Sequence, residues 1–241
     1  MRTFIGLMMV VVTNASAQFP PKAVTNLKVL PADTNVDSLL ETMAGFTRAL
    51  GVRCTYCHAG RDGQPLDSID FASDMRPAKE KARAMLRMVA AINGEHLTRL
   101  ANRRTPPVSV GCFTCHHGIA VPRTLQQVLL AAYSARGIDS VTAAYAVLRA
   151  RYFGGAAYDF GEVALVDVAN AVRSSGSLPD ALKLYLLNVE MVPTSTYALR
   201  SLAGGQLAAG DTVAAVASYQ RALAINPNDG QSRAALARLG R

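Results

Sequence analysis

Two copies of Cys-x-x-Cys-His, CTYCH at residues 54–58 and CFTCH at 112–116, use every cysteine of the chain and two of its four histidines. Two thiols three positions apart reach both vinyl groups of one porphyrin, and the histidine directly after them then lies beneath the iron. The pattern is the attachment signature of a c-type haem. It implies Cys54 and Cys57, and Cys112 and Cys115, as thioether formers, with His58 and His116 as proximal iron ligands of two covalent haem c groups. A zinc site or a pair of redox dithiols would need the cysteines alone and has no use for His58 and His116. More than fifty residues between the pairs also strains a zinc-ribbon spacing.

The first residues place this chemistry. Arg2, an apolar run from Phe4 to Val12, and Ala15-Ser16-Ala17 form a secretory signal over 1–17, with cleavage before Gln18. Retention of that segment as an anchor is the alternative. The run is too short to span a bilayer, no later stretch approaches twenty apolar residues, and no cysteine follows the signal to carry lipid. The mature chain is expected in the periplasm, soluble or peripheral to the membrane.

Half of the residues are apolar, enough for the cores of two small domains. Haem propionates would offset part of the formal charge of +8, and the remaining basicity favours an acidic redox partner. The basic residues are scattered, and with an export signal this argues against nucleic acid.

After an extended leader at Phe19-Pro20-Pro21-Lys22 and a short extended segment from Leu27 to Pro31, helices dominate. Leu39, Met43, Phe46 and Leu50 form one stripe at helical period over Asp37 to Leu50, and Gly51 ends it. A second helix is expected from Pro77 to Leu100, carrying Met85, Met88, Val89 and Ile92 ahead of the break at Pro106-Pro107. Helix, turn, then CxxCH thus occurs twice, and each upstream helix offers a methionine: Met43 for the first motif, Met85 or Met88 for the second. Thioether sulfur is a soft iron ligand that raises the potential and fills the position oxygen or peroxide would need. A methionine on an apolar helix stripe serves equally as core filler.

Past Pro122 the composition turns to Ala, Leu and Val. Gly176, Ala181, Tyr185 and Pro193 recur 34 residues later as Gly210, Ala215, Tyr219 and Pro227, the period and residue types of a tetratricopeptide helix pair. Two units are too few for a free-standing array, so the stretch from Thr124 to Ser174 is expected to pack as a cap or degenerate repeat. The fold class is mainly α. The expected organisation is a signal at 1–17, a dihaem cytochrome c domain at 18–122, a helical linker or cap at 123–158 and tetratricopeptide-like repeats at 159–241.

From about Asn26 to Pro122 the chain resembles the cytochrome c subunit of bacterial photosynthetic reaction centres. The resemblance rests on Met43, CTYCH at 54–58, the run Ala82-Arg83-Ala84-Met85-Leu86-Arg87-Met88-Val89, Ile92-Asn93, and Cys112-Phe113-Thr114-Cys115-His116. It implies Met43 and Met85 as distal ligands, selecting Met85 over Met88. Members that serve a reaction centre carry four haems in two such units, whereas this chain has one unit. Arg99 stands where the family has a histidine that ligates a haem of the other unit. His96 stands where an aromatic is common, and reads as structural. The repeat tail is foreign to the photosynthetic subunit, so the resemblance implies a dihaem relative in non-photosynthetic electron transfer.

Other residues carry weaker signals. His117 reads as a propionate or solvent contact, and Arg83 as a propionate partner or part of a solvated helix face. Asp67, Asp70 and Asp74 do not match a calcium loop and read as turn and cap residues. The expected function is electron transfer between redox partners through two His/Met haems, with the repeats docking a partner or a membrane redox complex. The competing classes are a dihaem peroxidase-like enzyme and a haem-based redox or gas sensor, each needing an open axial site. No Ser-His-Asp order or HExxH motif suggests another catalytic centre.

Overall fold

A computed structural model describes residues 19–241, so the signal segment lies outside the described residues. The chain is mainly α-helical, and the one β pairing among the described residues is an isolated antiparallel bridge between Ala59 and Asp70. It divides into two compact units, one up to Val121 and one from Pro122.

In the first unit, α1 spans Val36–Leu50. The Asn35 side chain caps it by accepting from the Ser38 amide at 2.8 Å. Gly51, at φ +65°, ends it, returning its N–H to the Thr47 carbonyl. The segment expected to be extended near Leu27 to Pro31 instead bends at Lys28 to Leu30, and the Pro31 carbonyl closes a turn by accepting from the Thr34 amide at 3.1 Å.

Helix α2 spans Pro77–Ala91 and starts on a proline, whose missing N–H has no intrahelical partner to lose. The helix expected to reach Leu100 departs from α geometry at Ile92. A π turn covers Ile92–His96 and a 3-10 turn Leu97–Arg99. Asn93, at the start of that departure, accepts from the Val110 amide and donates to the Val110 carbonyl, both at 2.8 Å. The side chain thereby ties the helix end to the strand of chain entering α3, Cys112–His116.

Few apolar side chains of this unit are buried: Ala49, Ile69 and Ile119 among the described residues. Met75, Met85, Met88, Leu100, Val108 and Phe113 are exposed.

The second unit contains α4 (Leu125–Arg136), α5 (Ile138–Tyr152), α6 (Glu162–Ser174), α7 (Leu178–Met191), α8 (Thr196–Ala208), α9 (Thr212–Ile225) and α10 (Gly230–Arg238). Helices α6, α8 and α10 start 34 residues apart, as do α7 and α9. Gly176 and Gly210 make the equivalent turns at φ +103° and +80°. Ala181 and Ala215 are fully buried, and Tyr185 and Tyr219 are buried beside them. Leu125, Leu129, Val141 and Tyr145 from α4 and α5 share one core with Leu165, Leu184 and Leu199 of the repeating helices.

Candidate functional site

The first Cys-x-x-Cys-His begins four residues after the end of α1 at Leu50, and Cys54–Tyr56 forms a 3-10 turn. The loop behind it folds back through the Ala59–Asp70 bridge, over buried Ile69. This return brings the Phe71 carbonyl to His58, whose Nδ1–H donates to it at 3.1 Å while the two rings meet edge to face at 5.0 Å. A carbonyl can only accept, so the proton sits on Nδ1 and neutral His58 keeps its Nε2 lone pair, the form that binds a metal ion. Burial, and then the nearby Lys79 ammonium, push the His58 pKa down, favouring that neutral form. Burial also raises the Cys57 thiol, against the opposing pull of Lys79.

The second motif repeats this construction with different parts. Gly111 precedes α3, and its amide donates to the Thr114 hydroxyl at 3.0 Å, which fixes the first turn. The chain reverses at His117, φ +48°, and the His116 Nδ1–H donates to the Ile119 carbonyl at 2.9 Å. The four cysteines are free thiols, and no three His, Cys, Asp or Glu side chains converge as a metal-ligand group among the described residues. Burial raises the Cys112 thiol.

The two motifs are joined backbone to backbone. The Gly118 amide donates to the Ala49 carbonyl at 2.9 Å, and the Gly118 carbonyl lies against Gly51 so closely that no Cβ fits there. Helix α1 accordingly packs on α3.

Charged residues make a second layer around the first motif. Lys79 of α2 donates to the carbonyls of Phe71, Ala72 and Ser73, each at 2.9 Å. Asp70, as expected of a turn residue, accepts from the Ala72 and Ser73 amides at 3.0 and 2.9 Å. Asp74 differs from its expected turn role. Its carboxylate meets Lys28 at 2.6 Å, Arg83 at 2.8 Å, Asn26 at 2.9 Å and Lys79 at 3.4 Å. Arg83 foremost, then Lys28, holds its pKa far below the usual carboxylate range. Arg83 itself is 7% exposed and bonded to Asp74 and Glu80, so it is no part of a solvated face. No sequence pattern marked Lys79, or marked Asp74 as an ion partner, because both act through a loop whose path is not local.

Met43 lies half-buried on α1. Met85 and Met88 lie one turn apart on α2 and are 42% and 45% exposed. His96 ends the π turn and Arg99 the 3-10 turn, both exposed. His117 sets its ring edge-on to Phe113 at 5.5 Å, and its Nδ1 is buried without a partner among the described residues.

This donor set fits a covalent haem at each motif. Each offers two free thiols, an imidazole held through Nδ1, and apolar surface that the unit does not bury in a core of its own. A helical frame that turns twice through Cys-x-x-Cys-His in this way has the build of a c-type cytochrome. Comparison with known proteins agrees. The family model for the photosynthetic reaction centre cytochrome C subunit matches residues 12–144, more than half of the chain, and the chain belongs to that family. The match passes Pro122, where the resemblance was expected to end, and runs through α4 into α5. Cytochrome c-554 of Chloroflexus aurantiacus is 32% identical over 146 residues, covering 59% of this chain and 30% of that relative. The chain therefore matches less than a third of that relative's length.

Proposed function

We propose that the chain is an exported dihaem c-type cytochrome that passes electrons between redox partners. The observation that carries the reading is the common construction of the two sites: His58 gives Nδ1–H to the Phe71 carbonyl and His116 to the Ile119 carbonyl. Each imidazole is thereby oriented and left with Nε2 for iron. Cys54, Cys57, Cys112 and Cys115 form the thioethers, and Met43 and Met85 supply the distal sulfurs. A bound haem c supplies a one-electron Fe(III)/Fe(II) couple.

Several features support the finer points. A core-filling methionine would be buried, and Met85 is not. The Ala49–Gly118 bond keeps the two motifs adjacent, which suits exchange of electrons between two haems. Arg2, the apolar run and Ala15-Ser16-Ala17 support export to the periplasm, and among the described residues no helix is long and apolar enough to cross a membrane. The net charge of +8 favours an acidic partner surface. In this reading residues 18–122 are the haem domain, 123–158 a cap, and 159–241 tetratricopeptide-like repeats that dock a partner or a membrane redox complex. The role is electron transfer rather than catalysis.

The test is a haem count and a reduced optical spectrum of the mature protein, before and after carbon monoxide. Two c-type haems unmoved by carbon monoxide are expected. Met85→Ala should turn one haem high-spin and open it to carbon monoxide, while Met88→Ala should not. A wild-type haem that binds carbon monoxide would redirect the reading to a peroxidase-like enzyme or sensor, and absence of covalent haem would end it.

A further inference from the structure

The two histidine sites are built alike but are not equivalent. The Ile119 carbonyl accepts from His116 alone among the described residues, at 2.9 Å. The Phe71 carbonyl accepts from two donors, the Lys79 ammonium at 2.9 Å and His58 at 3.1 Å. The longer bond belongs to the shared acceptor. Lys79 is also firmly placed: three main-chain carbonyls and Asp74 hold its ammonium, its side chain is 14% exposed, and the Asp70 turn fixes the segment it grips.

Resting on the reading of His58 and His116 as iron ligands, we infer that Lys79 is a positioning residue that makes the His58 site the more oxidising of the two. A carbonyl already bound to an ammonium is a poorer acceptor for a second donor. The His58 Nδ1–H is then pulled less, the imidazole has less imidazolate character, and it donates less to an oxidised iron. The ammonium charge acts in the same direction, because it disfavours the extra positive charge of the oxidised state. One electron is exchanged and no proton moves, since Nδ1 keeps its hydrogen in both states. His116 has no such competitor, so its site lies at the lower potential. Electrons entering the pair therefore rest at the site of residues 54–58, the one behind which Lys79 sits.

The experiment is a spectroelectrochemical titration of the full-length holoprotein, resolved into its two one-electron components. In Lys79→Met, which removes charge and donors at similar length, the midpoint potential of the upper component should fall by about 59 mV, so that its oxidised-to-reduced ratio at fixed poise rises about tenfold. The lower component should stay in place. Lys79→Arg, which keeps charge and donors, should restore the upper component, a rescue that a purely structural role in the turn would not require of the potential. The inference is overturned if neither component moves, if both move together, or if the lower one moves. Should Lys79→Met fail to hold haem, Lys79→Gln keeps a donor to the turn without the charge and should lower the upper component. Loss of haem in that variant too would make Lys79 structural and overturn the inference. Wild-type protein lacking two c-type haems would instead defeat the underlying reading.

Discussion

The carbonyl oxygen of Gly118 occupies the space that a Cβ on Gly51 would need, and the Gly118 amide bonds back to the Ala49 carbonyl at 2.9 Å. Gly51 ends the helix before the first Cys-x-x-Cys-His, and Gly118 follows the second motif by two residues. Two segments 67 positions apart in sequence thus cross with no side chain between them. Their distance is set by bonded backbone, the stiffest spacer a small unit can use, and it needs glycine because the α1 terminus is left-handed at φ +65°.

Gly51→Ala should therefore be costly twice over, once for a left-handed alanine and once for the collision. Gly63 separates the two contributions, because it has φ +84° but nothing within 4 Å of its Cβ position. Gly63→Ala is expected to lose only about 1 kcal/mol, the conformational part. Gly51→Ala should lose about 3 kcal/mol or more, since the Gly118 carbonyl must also move. Thermal unfolding followed in the haem absorption band measures both, and equal losses would show that the crossing contributes nothing.

The features of this unit that were legible in the sequence are local ones. Cys-x-x-Cys-His is a short covalent pattern, and Leu39, Met43, Phe46 and Leu50 announced α1 to within a residue of its observed start at Val36. The 34-residue spacing of Gly176 and Gly210 likewise matches the spacing of the helices they connect. What stayed hidden depends on main-chain acceptors, which have no residue signature. Nothing in Phe71 or Ile119 as residue types says that their carbonyls will hold His58 and His116. Asp74 read as a turn residue because its partners Lys28 and Arg83 come from distant segments. The π turn after Ala91 is of the same kind, since the side chain it presents, Asn93, bonds a residue 17 positions away.

Asn93 offers a direct probe of how the second motif is held. Its side chain is the partner of both the Val110 amide and the Val110 carbonyl, one residue before Gly111. Asn93→Ala should cost about 1–3 kcal/mol, the range for leaving half-buried main-chain groups without a partner. Hydrogen exchange at the Val110 amide should quicken well beyond the global change. Asn93→Asp should rescue it only in part, because a carboxylate still accepts from the amide but offers no donor to the carbonyl. Unchanged exchange at Val110 in both variants would show that another element holds this segment.

Asp74 predicts an acid dependence with a definite sign. Arg83, then Lys28 and the other donors, hold its folded-state pKa below the unfolded value of about 3.9. The folded state thus binds fewer protons than the unfolded state as pH falls, so the contribution is present above about pH 4 and is lost on further acidification. Asp74→Asn should be less stable than wild type at pH 7, and the gap should narrow as pH drops below about 4. Melting temperatures of the two proteins measured across that range test it. The comparison cancels the same tendency at Asp180 and Asp229, whose pKa values are also lowered. A gap that stays constant with pH would mean that Asp74 acts by shape rather than charge.

Adjacent glycines of α8 should respond in opposite directions to the same substitution. A Cβ on Gly205 would come within 2.8 Å of the Tyr185 ring and 3.1 Å of Leu182, both on α7. Tyr185 cannot easily give way, because it is buried and its hydroxyl donates to Asn170 on α6 at 2.5 Å. Gly204 has nothing within 4 Å of its Cβ position. Gly204→Ala should therefore gain about 1 kcal/mol from helix propensity alone. Gly205→Ala starts with the same gain but must force the α7–α8 contact open, at a cost of about 1–3 kcal/mol, for a net loss. Urea denaturation of the two variants, followed by helical circular dichroism, reads both signs in one experiment. Stabilisation by both would show that the helices of the repeat can part without penalty, and that a small residue at Gly205 is not what lets Tyr185 fill the groove between them.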